Sequence, residues 1–508
     1  MNKKPFVLVI MDGWGIASPS RGNAVALAKT PALDFLTKKY SSTQLRASGA
    51  AVGLPSSQDG NSEAGHMNIG AGRIVEQDSV HINHYIYDGT FYKNPAFMAA
   101  ISHVQKNNSN IHLMGLLTDG MSAHAYPDHL YALLDLLQKK KIKRVYLHLF
   151  TDGRDSPQHG ALQYLRKLKK FFRNGEKIAT IMGRYYAMER NKRWQITEQA
   201  YNLLTLGEAK HKAKDAEEAI LQSYNRNKSD EFVEPTLINK EGLIKNNDSI
   251  IFFNLRSDRA RQLAKTFVQK DFTEKNQGAF IRKKVIQNLD FIAMTDFGPD
   301  LDHILSAFPS IDIIETLPMI LDDQRQLYIA ESEKYAHVTY FFNGGYADPV
   351  GNEDRIKVLS PDVHSYDLMP EMSAAKITKI VVDNLRSNKY DFYTINYANP
   401  DMVAHTGNLA ATVKACECVD KQIGVLFKEI EKNKGTLIIT ADHGNAEELI
   451  NLQTGEIDTK HSINPVPFIV TKKKCKLATG GLLGNIAPTI LNLMDIAPVK
   501  SMTEKSLC

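Results

Sequence analysis

Nine short apolar runs punctuate this chain, and each ends in a polar cluster. FVLVIM (6–11) runs into Asp12, IHLMGLL (111–117) leads to Asp119, and VYLHLF (145–150) opens onto TDGRD. IATIM (178–182) precedes GRYYAMER, SIIFFNL (249–255) precedes RSDR, and LDFIAM (289–294) precedes TDFG. QLYIA (326–330), FYTINY (392–397) and TLIIT (436–440) end in ESEK, ANPD and ADHGN. Unbroken apolar runs of this length read as strands covered on both faces, as in parallel sheets. Helical patterns lie between them, at 23–40, 129–140 and 412–432. Strands alternating with helices define an α/β fold built on mainly parallel sheets. In such sheets ligands gather beyond the carboxyl ends of the strands, where every polar cluster sits.

The clusters are of two chemical kinds. Those near the chain ends are rich in Asp, His and Ser, and those in the middle are rich in Arg. This predicts a discontinuous domain from 1–76 plus 308–508, with a second α/β domain inserted as 77–307. A chain of 508 residues with 43% apolar content is long enough for both cores. Net charge is +5, from 62 basic and 57 acidic residues, which gives no basic excess for nucleic acid. The four cysteines, Cys416, Cys418, Cys475 and Cys508, are too few for a disulfide framework and fit a reducing compartment. The apolar run at the start is too short for a secretory leader, and no run reaches the ~18 residues of a membrane span. The expectation is a cytoplasmic protein without a membrane or nucleic-acid partner.

Four segments offer hard oxygen and imidazole ligands: Asp12 in MDGWG, Asp401 and His405 in NPDMVAHTG, Asp442 and His443 in TADHGN, and His461 in DTKHSINPVP. Asp401 and His405 are four apart, so on a helical turn both face one point. Mixed Asp/His ligation suits Zn, Mn or Fe. Two such metals can activate a nucleophile and clamp a phosphoryl group. The stretch DGNSEAGHMNIG (59–70) supplies a hydroxyl, Ser62, that lacks the G-x-S-x-G setting of acyl hydrolases. A metal, rather than His66, would activate it, and a helix starting at Ser62 would favour a phosphate ester there.

The middle clusters carry Arg154, Asp155, Arg184, Arg190, Arg256 and Arg259, with Lys334 chemically akin to them. Arginine grips carboxylate and phosphate bidentately, so strand-end arginines predict a pocket for a small, multiply charged anion. Interleaved aromatics for base stacking are absent.

Taken together, MDGWG, DGNSEAGHMNIGAGR, TDGRD, GRYYAMER, SEKYAHVTYFFNGG, NPDMVAHTG, ADHGN and HSINPVP resemble the cofactor-independent (2,3-bisphosphoglycerate-independent) phosphoglycerate mutases of the alkaline phosphatase superfamily. The resemblance spans essentially the whole chain. It implies an alkaline-phosphatase-like parallel-sheet domain holding two Mn²⁺ or other divalent ions, and an inserted substrate-binding domain. One metal would be held by Asp401, His405 and His461, the other by Asp12, Ser62, Asp442 and His443. Ser62 would become phosphoserine as 3-phosphoglycerate and 2-phosphoglycerate interconvert, with no bisphosphoglycerate required. His124, Arg154, Asp155, Arg184, Arg190, Arg256, Arg259 and Lys334 would hold the substrate, in a monomer. The chain departs from the family at Ala404 and Ser257, and in TDGMSAHAYPDH, which is one residue longer. Counting back from HLYALL puts the family's histidine at His124; counting forward from TDG would put Ala123 there. A phosphomonoester hydrolase sharing the metal site, a mutase of another phosphorylated compound, and a non-catalytic anion or metal binder are the alternatives.

Overall fold

The computed structural model describes residues 4–298, 300–301, 304–309, 312–472 and 475–508. The chain forms two compact units, Met1–Gln77 with Ile311–Cys508, and Asp78–Ser310. Each is built on its own eight-stranded sheet.

In the first unit the sheet runs Glu353–Val358, Gln326–Glu331, Phe392–Tyr397, Phe6–Met11, Thr436–Thr440, Val466–Val470, Ser41–Arg46, Gly481–Leu482. The first five strands are mutually parallel, and Val466–Val470 is antiparallel to both its neighbours. Phe6–Met11 lies mid-sheet with Phe392–Tyr397 on one side and Thr436–Thr440 on the other, which is why it is apolar throughout. Four strands of this sheet lie outside the apolar runs, among them the two-residue strand Gly481–Leu482. Ser41–Arg46 and Glu353–Val358 are polar, half-exposed strands at or near the sheet edges, and Pro467 interrupts the apolar pattern of Val466–Val470. The helical pattern expected over 23–40 is two helices, Ala24–Leu27 and Pro31–Lys39; Pro31 opens the second and disfavours helix at the residue before it.

In the second unit the order is Leu305–Ser306, Asp290–Ala293, Ser249–Phe252, Ile111–Leu117, Val145–Thr151, Lys177–Gly183, Thr236–Leu237, His211–Lys212. All neighbours are parallel except Thr236–Leu237 against Lys177–Gly183. Apolar clusters pack around this sheet, one centred on Leu113, Leu147 and Ile251, the other on Met114, Phe150 and Phe252. These residues alternate along their strands and so face opposite sides. Among the described residues no helix is long and apolar enough to cross a membrane.

The cysteine reading needs one correction. Cys475 and Cys508, 33 residues apart, form a disulfide that ties down the last residue of the chain, while Cys416 and Cys418 are free. A pairing across that distance leaves no local spacing signal.

Candidate metal centre and anion site

Three neighbouring strands of the first unit bring the candidate hard ligands to their carboxyl ends. Phe6–Met11 runs into Asp12, Thr436–Thr440 ends two residues before Asp442, which His443 follows, and Phe392–Tyr397 leads into the short helix Asn399–Ala404 bearing Asp401. His405 follows one helical turn after Asp401, and its Nε2 lies 3.3 Å from Asp401 Oδ1. His461 Nε2 lies 3.4 Å from the same oxygen and 3.1 Å from His405 Nε2. These three groups converge on one point. Beside them, His443 Nε2 is 3.6 Å from Asp12 Oδ1 and 3.5 Å from Asp442 Oδ2. The His443 and His461 rings stack with centroids 4.0 Å apart, so the two clusters are contiguous. Asp12, Asp442 and His443 form one set whose ligand atoms lie within 4.8 Å of one another; Asp401, His443 and His461 form another.

Ser62 is the first residue of the helix Ser62–Ala71, capped by Asn61, whose side chain accepts from Ala64 N at 2.9 Å. Its Oγ donates to Asp12 Oδ1 at 3.3 Å and lies 2.9 Å from His443 Nε2. The helix can lie this close because residue 65 is glycine: a β-carbon there would collide with the Asp442 backbone and side chain. His66 Nδ1 donates to the Ser62 carbonyl oxygen at 2.9 Å and lies 3.3 Å from Asp442 Oδ2. Asn396 donates to Asp12 Oδ2 at 2.6 Å and lies 3.1 Å from His66 Nε2. Asn445 donates to Asp401 Oδ1 at 2.7 Å.

Lys334 belongs to this unit, although the sequence reading grouped it with the arginines. Its Nζ is 2.6 Å from Asp12 Oδ1, 2.6 Å from Asp401 Oδ2 and 2.8 Å from Ser62 Oγ. Burial would lower its pKa, but Asp12, Asp401 and Asp442 outweigh burial and raise it. Burial pushes the Asp12 carboxyl up to about 7, with neighbouring Asp442 adding to the rise and Lys334 opposing it. For Asp401, burial is overcome by Lys334 and His405, and the carboxyl is held well below its usual range. Three buried carboxylates and three imidazoles in contact form a donor set that one ammonium does not neutralise. Asp442 Oδ2 is buried with no hydrogen-bond donor on it. Both features fit divalent metal with mixed oxygen and nitrogen ligands.

The second unit gathers the arginines. Arg184, at the end of Lys177–Gly183, is buried, and its Nη1 donates to Asp152 at 2.6 Å and Asp155 at 2.7 Å. Asp155 also accepts from Ser122 Oγ at 2.7 Å. Arg190 Nη1 donates to Asp258 Oδ2 at 2.7 Å, and Arg256 Nε lies 3.8 Å from Asp258 Oδ1. Arg154 Nη1 pairs with Glu231 at 3.4 Å. Burial lowers the Arg259 pKa, and the guanidiniums of Arg190, Arg184 and Arg154 lower it further, which places all four in one positive field. His124 is buried with Nδ1 3.9 Å from Asp258, whereas Ala123 is exposed. Burial, aided by Arg184, holds the His124 imidazole down to about 3, so it stays neutral. Asp152, Asp258 and Ser122 were not singled out in the sequence. Asp152 and Asp258 stand inside TDGRD and RSDR, where the neighbouring arginines drew attention first.

Buried Asp and His side chains around a serine at a helix N-terminus are the groups that a metal-dependent phosphoryl-transfer site requires. The Metalloenzyme superfamily matches residues 4–498. The chain is 48% identical over 515 residues to the 2,3-bisphosphoglycerate-independent phosphoglycerate mutase 1 of Methanosarcina acetivorans, covering 99% of this chain and 98% of that one. It is 46% identical to the 2,3-bisphosphoglycerate-independent phosphoglycerate mutase of Clostridium kluyveri over the whole of both chains. A solved phosphoglycerate mutase of Leishmania mexicana, determined at low cobalt concentration, superposes with a TM-score of 0.78 at 27% identity, covering 99% of this chain and 97% of that one. The chain belongs to the family of 2,3-bisphosphoglycerate-independent phosphoglycerate mutases, and is an isomerase of that type.

Proposed function

We propose that the protein interconverts 3-phosphoglycerate and 2-phosphoglycerate through a phosphoserine on Ser62. The reading rests above all on the Ser62 hydroxyl held between His443 Nε2 and Lys334 Nζ. Ser62 Oγ loses its proton and forms a bond to phosphorus as the bond to the glycerate 3-oxygen breaks. That oxygen takes up a proton. In the second half the glycerate 2-hydroxyl loses its proton, attacks the phosphoserine and restores Ser62. Asp401, His405 and His461 would hold one divalent ion, and Asp12, Ser62, Asp442 and His443 a second, with Mn²⁺ the expected metal. Such ions, when bound, lower the pKa of a coordinated hydroxyl and offset charge on phosphoryl oxygens. Lys334 donates to Ser62 Oγ and stabilises its oxyanion. Arg154, Asp155, Arg184, Arg190, Arg256, Arg259 and His124 retain glycerate between the half-reactions, which separates a mutase from a hydrolase. The protein is proposed to act as a cytoplasmic monomer on this small substrate alone, without bisphosphoglycerate.

The test follows 2-phosphoglycerate and free phosphate from 3-phosphoglycerate in chelator-stripped protein, before and after Mn²⁺ is returned, with no bisphosphoglycerate present. Metal-restored isomerisation with little free phosphate is expected. Free phosphate without isomer would overturn the mutase reading in favour of a hydrolase.

A further inference from the structure

One buried carboxylate beside the metal centre has no part in the chemistry above. Glu447 lies five residues beyond Asp442 and is 2% exposed. Its Oε2 accepts from Gly15 N at 3.0 Å and from Asn445 N at 2.9 Å. Its Oε1 accepts from the Ser462 hydroxyl and from Asn464 Nδ2, the latter at 3.0 Å. These four donors sit on three separate loops. Gly15 follows Asp12 by three residues, Asn445 follows His443 by two, and Ser462 follows His461 directly. The carboxyl group occupies the place a side chain at residue 15 would need, since a β-carbon on Gly15 would overlap it. Other bonds join these loops in pairs, Gly13 N to Asp442 Oδ1 at 3.2 Å, Ala446 N to Gly13 O at 2.9 Å, Ile16 N to Pro465 O at 2.7 Å and Ser462 N to Gly444 O at 3.0 Å, whereas the Glu447 carboxylate bonds all three at once.

We infer that Glu447 is a positioning residue: its carboxylate ties the loops bearing Asp12, Asp442/His443 and His461 into one frame and so sets the affinity of the centre for metal. The inference rests on the metal-centre reading given above. A carboxylate suits this task because it only accepts, and all four neighbours present N–H or O–H. An amide of the same size would turn an NH₂ group towards donors and break at least one side of the frame. Groups that orient metal ligands in this way typically change metal affinity 10–100-fold when altered.

The experiment titrates Mn²⁺ into chelator-stripped wild type and Glu447→Gln by calorimetry, and melts both proteins metal-free. About 10–100-fold weaker Mn²⁺ binding is expected, with a metal-free Tm close to wild type. Equal Mn²⁺ affinity in a folded Glu447→Gln protein overturns the inference, even if activity has fallen. A lower metal-free Tm with unchanged affinity also overturns it, since that marks a purely structural bond network. Should Glu447→Gln not fold, Ser462→Ala removes one donor without adding volume; it is expected to weaken Mn²⁺ a few-fold, and wild-type affinity there overturns the inference. If wild type itself binds no Mn²⁺, the metal-centre reading fails first, and that outcome is separate from either result on Glu447.

Discussion

The two units share a parallel-sheet architecture yet handle charge in opposite ways. In the first, the carboxylates Asp12, Asp401 and Asp442 are nearly inaccessible and already within contact of their imidazoles. In the second, most of the cationic groups reach solvent, and three of these have a carboxylate partner, Asp258 for Arg190 and Arg256 and Glu231 for Arg154, while Arg259 donates to the Met188 carbonyl at 3.5 Å. Only Arg184 is buried, and it bonds two aspartates. A buried anionic cluster needs cations in it, and Lys334 supplies one between Asp12 and Asp401. An exposed cationic cluster is solvated and self-paired, so the second unit folds whether or not an anion arrives.

The sharpest way to break this contrast is to alter one member on each side. Ser62→Ala removes the proposed nucleophile but only one hydroxyl from the buried cluster. Turnover should fall about 10⁴-fold or more, with Mn²⁺-loaded stability little changed. Turnover within tenfold of wild type would exclude a phosphoserine on Ser62. Arg184→Ala should show the reverse emphasis, because Asp152 is fully buried and loses its cation. Removing one partner of a buried pair costs about 3–5 kcal/mol. The chain has two tryptophans, Trp14 in the first unit and Trp194 in the second, both buried. In a Trp14→Phe background, Trp194 fluorescence during urea unfolding reports the second unit alone. An unchanged midpoint would mean Asp152 is satisfied by Ser156 Oγ and the loop N–H groups without Arg184.

How much of this could be read from the chain follows the same division. The nine apolar runs all contain strands because strands covered on both faces carry a strong, local signal. Ser41–Arg46 stayed hidden because one of its faces is exposed, which lets Ser42, Gln44 and Arg46 remain polar. Asp12, Asp442 and His443 were visible as polar residues directly behind apolar runs. Lys334 was harder: ESEKYAH shows a cation, but only the fold decides that its Nζ lies among Asp12, Asp401 and Ser62. Glu447 and Asn396 were invisible for a related reason. Their importance lies in bonds to residues 432 and 384 positions away, and nothing local marks a buried acceptor or donor. In TDGMSAHAYPDH two countings stood open; His124 is buried facing Asp258, while Ala123 faces solvent.

Acid should separate the units next, through the second unit's histidines. His129 is fully buried, and burial holds its imidazole down to about 4 despite its bond to the Ser79 carbonyl. His148 is held well below its usual value by burial and by His112, which it meets at 3.0 Å, with Thr180 on its other nitrogen at 2.9 Å. These groups are neutral when folded and titrate near 6.5 when unfolded. Between those values the unfolded chain binds more protons, so stability falls as pH drops below about 6.5 and goes on falling to about 4. His129 alone should cost about 2–3 kcal/mol by pH 4.5. The Trp194 urea midpoint, compared at pH 7 and pH 4.5, measures this. A flat midpoint would mean the second unit opens locally to let these imidazoles charge.

The smallest expected effect sharpens the contrast most, because it asks whether the paired arginines are held ready or held back. Asp258 is about one-third exposed and accepts from Arg190 at 2.7 Å, with Arg256 at 3.8 Å and His124 at 3.9 Å. Burial would raise its pKa, but Arg256, His124 and Arg190 outweigh burial and keep it low, so it carries full negative charge at neutral pH. Exposed pairs of this kind contribute about 0–1 kcal/mol, so Asp258→Asn should barely move the Trp194 midpoint. The aspartate nevertheless repels any anion that the same guanidiniums attract. At a separation of about 6 Å in a water-like dielectric that repulsion is about 0.7 kcal/mol, equivalent to about threefold in affinity. Calorimetric binding of 3-phosphoglycerate should therefore tighten about threefold in Asp258→Asn, and the gain should shrink in high salt. Weaker binding would reverse the interpretation: Asp258 would then be aligning Arg190 and Arg256 for the substrate, and the second unit would be as preassembled as the first.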